Sequence, residues 1–193
     1  MHRRTITFAL SVLTLLAVPV RAQDAAALPQ NSSRTDLFVG LGGQSRLGDA
    51  NAGWRTNVSF TVDVNVTDRV ALVVAPALGV GVSSASGTWV DYAFLTGPRF
   101  RFGGHQRVTP FVQALAGLQH GTVVPANGVV HTSPPDRATA FLLSFGGGVD
   151  VALNRRFTWR AVQFDEHSQF GDLNGGHQFA VSSGLVIHFG TRK

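Results

Sequence analysis

Hydrophobic and polar residues alternate along residues 54–66, which read WRTNVSFTVDVNV. Phe60 and Val62 have one parity in this segment, whereas Ser59 and Asp63 have the other. Because successive side chains of a β-strand point to opposite faces, the pattern predicts a strand with one apolar and one polar face. The period does not assign the faces. A soluble barrel would place the apolar face inside, and a membrane barrel would place it outside, against lipid.

The same alternation recurs in seven further segments. The eight predicted strands comprise residues 36–43, 54–66, 70–82, 89–102, 108–119, 138–153, 157–166 and 177–189. Two strands are less regular: Phe111, Gln113 and Leu115 share one parity in the fifth, whereas Arg160 and Asp165 in the seventh face opposite ways unless a β-bulge intervenes. No segment beyond the N-terminus has the period of a helix, so the pattern predicts an all-β fold.

The segments between the strands alternate in length. They are short at 67–69, 103–107 and 154–156, and on the whole longer at 44–53, 83–88, 120–137 and 167–176. Outer-membrane barrels have an even number of antiparallel strands, short periplasmic turns and longer extracellular loops. The sequence therefore predicts an eight-stranded antiparallel up-and-down transmembrane β-barrel, with both termini at the periplasmic end.

Aromatic residues are expected to form a band, or girdle, at each membrane interface. The predicted loop-end band contains Trp54, Tyr92, Phe141 and Phe179, and the predicted turn-end band contains Phe100, Phe102, Phe157, Trp159 and Phe189. These two bands favour the arrangement in which the valine-rich face of residues 54–66 meets lipid.

Charged residues of the strands are expected inside the barrel. A cation on the lipid face at mid-membrane costs roughly 2–4 kcal/mol, and several aspartates share the parity of the arginines. We therefore expect a buried ion-pair network that closes and stabilises the barrel. Its predicted members are Arg55, Asp63, Asp91, Arg99, Arg101, Asp150 and Arg160. Pro76 lies mid-strand, where it removes a ladder hydrogen bond, and a local bulge is the only explanation that the pattern offers.

The N-terminus has the features of a secretory signal peptide. Residues 1–22 combine a basic start, an apolar run at 8–18 that is too short to span a bilayer as a helix, and a small-residue cleavage site near Ala22. Without this segment, 13 basic residues remain against 11 acidic ones. The arginines are dispersed, so we predict no nucleic-acid partner. The 193-residue chain contains no cysteine, so disulfides do not hold the fold together.

Four sequence phrases resemble those of a known family. FLTGPRF at 94–100 leads to VTPFV at 108–112, and WRAVQFD at 159–165 is followed by SGLVIHFG at 183–190. These phrases and the strand rhythm resemble the small eight-stranded outer-membrane barrels of the OmpA/OmpX type, over about residues 36–190. The expected organisation is a signal peptide at 1–22, a flexible mature N-terminus at 23–35, the barrel at 36–190 and a short extension at 191–193.

The resemblance implies residence in the outer membrane of a Gram-negative bacterium. Its expected partners there are outer-membrane lipid, lipopolysaccharide and the outer-membrane assembly machinery, which would read the final strand with Phe189 as its aromatic residue. We expect a monomer without a cofactor, whose extracellular loops bind an unidentified ligand. The fold hosts anchors, adhesins, pores and enzymes, so it does not define an activity.

Two alternatives to a structural or surface-interaction role stay open, namely a narrow pore and a lipid-modifying enzyme. Glu166, His167 and Ser168 contain the groups of a Ser-His-acid nucleophile. Lipid A deacylases, however, carry His and Ser two residues apart on one strand face, with a Glu further on. Here His167 and Ser168 are adjacent and no Glu follows, so we expect no enzyme.

Histidines in the predicted loops offer a further possibility, because imidazole is a common metal ligand. The four residues are His120, His131, His167 and His177. Scattered loop histidines are more often solvated, so no metal site is predicted.

Overall fold

The computed structural model describes residues 34–46, 54–83, 87–103, 107–124, 137–171 and 176–190. Its strands are β1 (Thr35–Arg46), β2 (Arg55–Asn65), β3 (Val70–Ser83), β4 (Gly87–Arg101), β5 (Val108–Val124), β6 (Arg137–Ala152), β7 (Phe157–Gly171) and β8 (His177–Phe189). Each strand pairs antiparallel with its neighbours in sequence, and β1 pairs with β8 to close the barrel. The predicted eight-stranded antiparallel barrel is therefore confirmed. The described residues include no helix long and apolar enough to cross a membrane.

Strands β5 and β7 are longer than predicted. They continue to Val124 and Gly171, past the predicted ends at 119 and 166. His120 and His167, which were predicted in loops, consequently lie in strands, and His177 begins β8. Polar residues and glycines interrupt the alternation in these extensions, although the backbone pairing continues through them.

The predicted signal peptide at 1–22 lies outside the described residues, as do most of the segment 23–35 and the extension 191–193. The described barrel begins slightly before residue 36. The backbone N–H of Arg34 donates to Phe189 at 3.2 Å, and β1 starts at Thr35.

Apolar side chains cover the outside of the barrel, and polar ones are buried inside it. Val62 and Phe94 on the outward face are 37% and 56% exposed, whereas Asp63 and Arg99 on the inward face are 1% and 0% exposed. This distribution is the reverse of that in a water-soluble domain, in which apolar side chains are buried and charged ones face solvent.

The two irregular strands have different explanations. In β5, Phe111, Gln113 and Leu115 all point inward and are buried, so a polar and two apolar residues share the interior. In β7 the register shifts towards both neighbouring strands around Ala161, as a bulge requires. This extra residue lets Arg160 and Asp165 both point into the barrel.

Pro76 lies on the exposed face of β3 without a bulge. It pairs with Phe94 of β4 in an uninterrupted register. Towards β2, pairing is missing between Ser59–Ala77 and Val62–Val74, but the register is the same on both sides of the gap. The proline therefore interrupts one ladder locally, and the expected bulge at this position is wrong.

Small inward residues make room for large ones, as the narrow interior of an eight-stranded barrel requires. A Cβ atom added to Gly184 would lie 2.7 Å from the Phe38 ring, and one added to Gly148 would lie 2.8 Å from the Phe111 ring. Both aromatic side chains are almost completely buried. Glycine at these positions thus lets two phenyl rings enter the lumen.

Candidate functional site

Charged side chains form a hydrogen-bonded network in the half of the lumen nearer the short turns. Arg99 pairs with Asp63, and its Nε and Nη2 donate to Gln113 Oε1 at 3.0 and 2.6 Å. Arg101 Nη2 lies 2.9 Å from Asp36 Oδ2 and 3.0 Å from Asp63 Oδ2. Two arginines are thereby linked through the carboxylate of Asp63.

Gln113 connects this set to a second arginine–carboxylate pair. Its Nε2 donates to Asp165 Oδ1 at 2.7 Å, and Gln163 Nε2 donates to Asp165 Oδ2 at 2.6 Å. Arg160 Nη1 donates to Gln163 at 2.9 Å and binds Asp150 through Nε and Nη2 at 2.8 and 3.1 Å. Such bidentate pairing is the strongest form of arginine–carboxylate contact.

We call these residues the turn-half network. Its members are Asp36, Asp63, Arg99, Arg101, Gln113, Asp150, Arg160, Gln163 and Asp165. His188 borders it through an Nδ1 contact of 2.7 Å with Asp36.

Aromatic rings stack on the buried guanidinium groups. Arg160 Cζ lies 4.4 Å from the ring centre of Phe38 and 4.5 Å from that of Phe111, and Arg99 Cζ lies 4.6 Å from the Phe111 ring. Cation–π contacts of this kind are stronger when water is excluded. The rings therefore compensate in part for the lost hydration of the two arginines.

A smaller polar cluster occupies the half of the lumen nearer the loops. Asp91 Oδ2 accepts from Gln44 Nε2 at 3.0 Å and from Gln119 Nε2 at 2.6 Å, and Gln169 Nε2 donates to Gln119 at 2.5 Å. Arg55 Nη1 is 3.9 Å from Asp91, and its side chain is 21% exposed. We call these five residues the loop-half cluster.

An apolar layer separates the two polar groups. It consists of Val73, Ala75, Leu95, Leu115 and Leu142, all of which are buried. Along β4, Leu95 lies between the Arg99 of one group and the Asp91 of the other. The lumen of the described barrel is thus charged at one end and amide-rich at the other, with the apolar cluster and the inward-pointing Ser144 and His167 between them.

The structure divides the predicted lumen residues between the two groups. Asp63, Arg99, Arg101, Asp150 and Arg160 lie in the turn-half network, and Arg55 and Asp91 lie in the loop-half cluster. The sequence-based prediction of the network did not include Asp36, Asp165 or the glutamines that join the pairs. The shared parity of Gln113 with Phe111 and Leu115 was a signal that this amide points inward.

All nine predicted aromatic-girdle residues lie on the outward face. Trp54 and Tyr92 near the loops are 66% and 55% exposed, and Phe102 and Trp159 near the turns are 52% and 47% exposed. Trp159 Nε1 also donates to Ser183 Oγ at 3.2 Å. The remaining members, Phe100, Phe141, Phe157, Phe179 and Phe189, share this outward parity.

The three candidate catalytic residues do not come together. His167 shares the inward parity of Asp165 and Gln169, whereas Glu166 and Ser168 point outward. His177 takes the place of His167, because Ser168 lies opposite His177 in the β7–β8 ladder. Sequence reasoning considered His177 as a loop metal ligand and did not connect it with Ser168, since their pairing depends on strand register.

Glu166, Ser168 and His177 form a polar group at the loop end of the outer face, which we call the rim triad. Glu166 Oε1 lies 2.5 Å from His177 Nδ1 and 3.2 Å from Ser168 Oγ. Ser168 Oγ is 3.3 Å from the same Nδ1 atom. The carboxylate can therefore orient the imidazole beside a hydroxyl group.

The histidines do not form a metal site in the part of the chain that the structure describes. His120 Nδ1 contacts Thr139 Oγ1 at 2.8 Å and its ring packs against Tyr92, whereas His167 and His177 point to opposite faces. No group of three or more potential metal ligands occurs among the described residues. His131 lies outside them.

Comparison with known proteins identifies the fold. No protein-family model and no curated protein matches the sequence. The barrel is similar to Neisserial surface protein A, with a TM-score of 0.65 at 11% identity over 81% of this chain and 98% of that chain. It is also similar to Ail, the attachment invasion locus protein of Yersinia pestis, with a TM-score of 0.52 at 12% identity over 81% and 97% of the two chains.

These similarities, together with the closed barrel, confirm the resemblance to small eight-stranded outer-membrane β-barrels. At such low identity they show the fold alone, because this architecture supports unrelated functions. The outer membrane enzyme PagL also matches, with a TM-score of 0.49 at 14% identity over 80% and 99% of the two chains. That similarity is too low to bear on activity.

Proposed function

We propose that the protein is an integral component of a bacterial outer membrane, with a structural or surface-interaction role carried by its extracellular loops. The observation that carries this proposal is the reversed distribution of side chains. Large apolar residues such as Leu78, Phe94 and Phe145 are 43–56% exposed, while arginines and aspartates are buried. An apolar surface of this extent is unfavourable in water and suits a lipid environment.

The interior supports a closed barrel rather than a pore. The turn-half network links side chains from six of the eight strands, and the apolar layer lies between it and the loop-half cluster. A continuous water channel would need space that these side chains occupy. The loops are therefore the better candidates for contact with other molecules.

The apolar outer face and the last strand each have an expected partner in this location. Outer-membrane lipid and lipopolysaccharide would surround its apolar face, and the assembly machinery would recognise β8, which ends at Phe189. A closed barrel has no free strand edge for pairing with another chain, which favours a monomer.

Membrane insertion can be tested on the intact protein. Folded barrel extracted in detergent should migrate differently on a denaturing gel before and after boiling, and it should fractionate with the outer membrane. Val62→Arg places a cation on the outward face and should impair insertion by about 2–4 kcal/mol, whereas Val62→Leu should not. A single unshifted band, or recovery of the wild-type protein in the soluble periplasm, would reject the proposal.

The loop role has its own test. Cells that display the full-length protein should bind an extracellular target that cells displaying a variant shortened within residues 125–136 do not bind. The heat-dependent gel shift must be unchanged in the shortened variant, which shows that the barrel still forms. Equal binding by the two displayed proteins would remove this loop as the binding element.

The rim triad favours a second candidate function, hydrolysis of an ester-linked acyl chain in a membrane lipid. Glu166, Ser168 and His177 lie on the outward face at the loop end, flanked by the exposed rings of Phe164 and Phe170. A nucleophile there faces lipid rather than the lumen. Both contacts of His177 use Nδ1, so catalysis requires the imidazole to turn and present Nε2 to Ser168.

The reaction would follow the usual course of a Ser-His-acid site. His177 accepts the proton of Ser168 while Oγ attacks the ester carbonyl, and the protonated imidazole then gives the proton to the departing alcohol. Water hydrolyses the acyl-serine with His177 again acting as the base. Glu166 orients the imidazole and stabilises its positive charge.

Mass spectrometry of outer-membrane lipids tests this activity. Cells overexpressing the wild type should accumulate lipid lacking one acyl chain, and Ser168→Ala and His177→Gln should abolish the change. His167→Gln is the matched control, because His167 points inward and should leave the activity intact. Identical lipid spectra for wild-type and Ser168→Ala cells would eliminate the enzyme.

A further inference from the structure

Exposed arginines occupy every corner of the turn end of the barrel. Arg34 precedes β1, Arg69 lies in the β2–β3 turn, Arg107 in the β4–β5 turn and Arg156 in the β6–β7 turn. All four are exposed, and none has an ion-pair partner in the described part of the chain. We call these four residues the arginine collar. The turn residues that the structure describes include one acidic residue, Asp68.

Backbone hydrogen bonds hold each collar residue against a neighbouring strand. Arg34 N–H donates to Phe189 at 3.2 Å, and the carbonyl oxygens of the other three accept from the following strand ends at 2.8–2.9 Å. The backbone N–H groups of Arg101, Ala152 and His188 donate to the carbonyl oxygens of Arg69, Arg107 and Arg156, respectively. The collar is therefore built on the rigid ends of the sheet, at a defined height around the barrel.

The collar lies immediately beyond the turn-end aromatic residues. Arg156 directly precedes Phe157, Arg34 is hydrogen-bonded to Phe189, and Arg69 precedes Val70, which pairs with Phe100. Aromatic bands of membrane barrels lie at the interface between hydrocarbon and head groups. One residue of strand adds about 3.3 Å, so the long arginine side chains reach the depth of the head groups.

The loop end of the barrel lacks this excess of basic residues. The segments 47–53, 84–86, 125–136 and 172–175, which join the strands at the loop end, contain three aspartates and no arginine or lysine in their sequence. Since Arg46, Arg55 and Arg137 lie at the loop ends of their strands, the loop end balances three arginines against these three aspartates, whereas the described turn end sets the four collar arginines against Asp68.

We propose that the arginine collar binds the phosphate groups of anionic phospholipids in the membrane leaflet at the turn end. The planar guanidinium group binds a phosphate through two parallel hydrogen bonds, which a lysine ammonium group cannot match. An anionic surface attracts each nearby arginine by an amount that corresponds to about a fivefold gain in binding. This inference rests on the proposed membrane location.

The test uses full-length protein in nanodiscs that contain equal amounts of phosphatidylglycerol and phosphatidylcholine. Native mass spectrometry of the released protein counts the lipids of each kind that remain bound. The wild type should retain phosphatidylglycerol preferentially, and Arg69→Gln/Arg107→Gln should lower this preference at least about fivefold. The matched control, Arg46→Gln/Arg137→Gln, removes two arginines at the loop ends of β1 and β6 and should retain the wild-type preference.

The heat-dependent gel shift separates this inference from the membrane location on which it rests. If the collar variant shows the shift and the same phosphatidylglycerol preference as the wild type, the collar does not bind these lipids. An equal loss of preference in the loop-end control would also overturn the proposal, because general charge would then explain the retention. A wild-type protein without the shift would reject the membrane location itself.

Discussion

The two polar halves of the lumen are closed by different chemistry. In the turn-half network, the guanidinium groups of Arg99 and Arg160 are fully buried, bind carboxylates directly and stack on phenyl rings. In the loop-half cluster, Asp91 is held mainly by amide groups, and the guanidinium group of Arg55 lies 3.9 Å away and is partly exposed. The turn-half network is thus a set of buried ion pairs, whereas the loop-half cluster is a partly hydrated polar group.

The difference follows from access to water. A fully buried charge needs a close partner and further hydrogen bonds, because removing one partner leaves an uncompensated ion. Near the loops, water can still solvate part of Arg55, so amides suffice around Asp91. Asp91 Oδ1 and Gln169 Oε1 in the loop half, and Asp63 Oδ1 in the turn half, are buried without a partner among the described residues, and each is a position at which an ordered water would complete the hydrogen bonding.

The largest expected effect on stability comes from breaking an ion pair in the turn-half network. Asp63→Leu leaves Arg99, which is 0% exposed, without its carboxylate and should lower the free energy of unfolding by about 3–5 kcal/mol. Urea titration of the protein in detergent, followed by tryptophan fluorescence, measures this change as a lower unfolding midpoint.

The double variant Asp63→Leu/Arg99→Met is the control for this prediction. Removing both partners of a buried pair is often neutral or stabilising, so it should recover most of the lost stability. If the loss of unfolding free energy in the double variant equalled the sum of the losses in the two single variants, the two residues would contribute independently and the turn-half network would not act as a unit.

A pair of glycines compares the packing of the two halves. A Cβ atom at Gly146, beside the turn-half network, would meet the Asp165 carboxylate and lie 2.5 Å from the backbone oxygen of Phe164. A Cβ atom at Gly79, beside the loop-half cluster, would meet only side-chain atoms of Asp91 and Gln44. Backbone moves less readily than side chains, so we expect Gly146→Ala to cost about 2 kcal/mol and Gly79→Ala less than half of that.

Urea midpoints of the two glycine variants, measured side by side, test this order. Both substitutions replace glycine by alanine in the middle of a strand. The difference in intrinsic strand propensity between the two residue types is therefore the same for both variants and cancels in the comparison. An equal or larger effect at Gly79 would show that the loop half is packed as tightly as the turn half.

The loop-half cluster should tolerate the loss of its carboxylate better than the turn-half network. Asp91→Leu leaves the amides of Gln44 and Gln119 without an acceptor, which corresponds to about 1–2 kcal/mol. This is smaller than the effect at Asp63, since the cation next to Asp91 is partly hydrated. Equal midpoints for Asp91→Leu and Asp63→Leu would contradict the distinction between the two halves.

The sequence predicts the strands and most inward residues because side-chain parity is a local property of each strand. Arg99 and Asp63 can be assigned to one face without knowing which strands are neighbours. The β7 bulge is visible in the same way, since Arg160 and Asp165 conflict in any regular strand. Pro76 shows the limit of this reasoning, because parity does not reveal that an outward-facing proline can interrupt pairing with one neighbouring strand while the register continues on both sides.

Contacts between strands could not be predicted from parity. The stack of Phe38, Arg160 and Phe111 joins β1, β7 and β5, and it depends on the register and curvature of the closed barrel. Ser168 meets His177 for the same reason. The lengths of β5 and β7 were also underestimated, because hydrogen bonding of the backbone continues where the alternation of side chains ends.

The smallest expected effect concerns Arg55, and its dependence on salt distinguishes the loop-half cluster from the turn-half network. Arg55→Gln removes a cation that is 3.9 Å from Asp91 and 21% exposed in its side chain, so we expect a loss of about 0.5 kcal/mol at low ionic strength. In about 1 M salt the screening length falls to about 3 Å, and the difference from the wild type should disappear. Arg99→Gln should keep its larger effect in the same salt, because its ion pair excludes solvent. A salt-independent effect of Arg55→Gln would mean that water is excluded from the loop-half cluster as it is from the turn-half network.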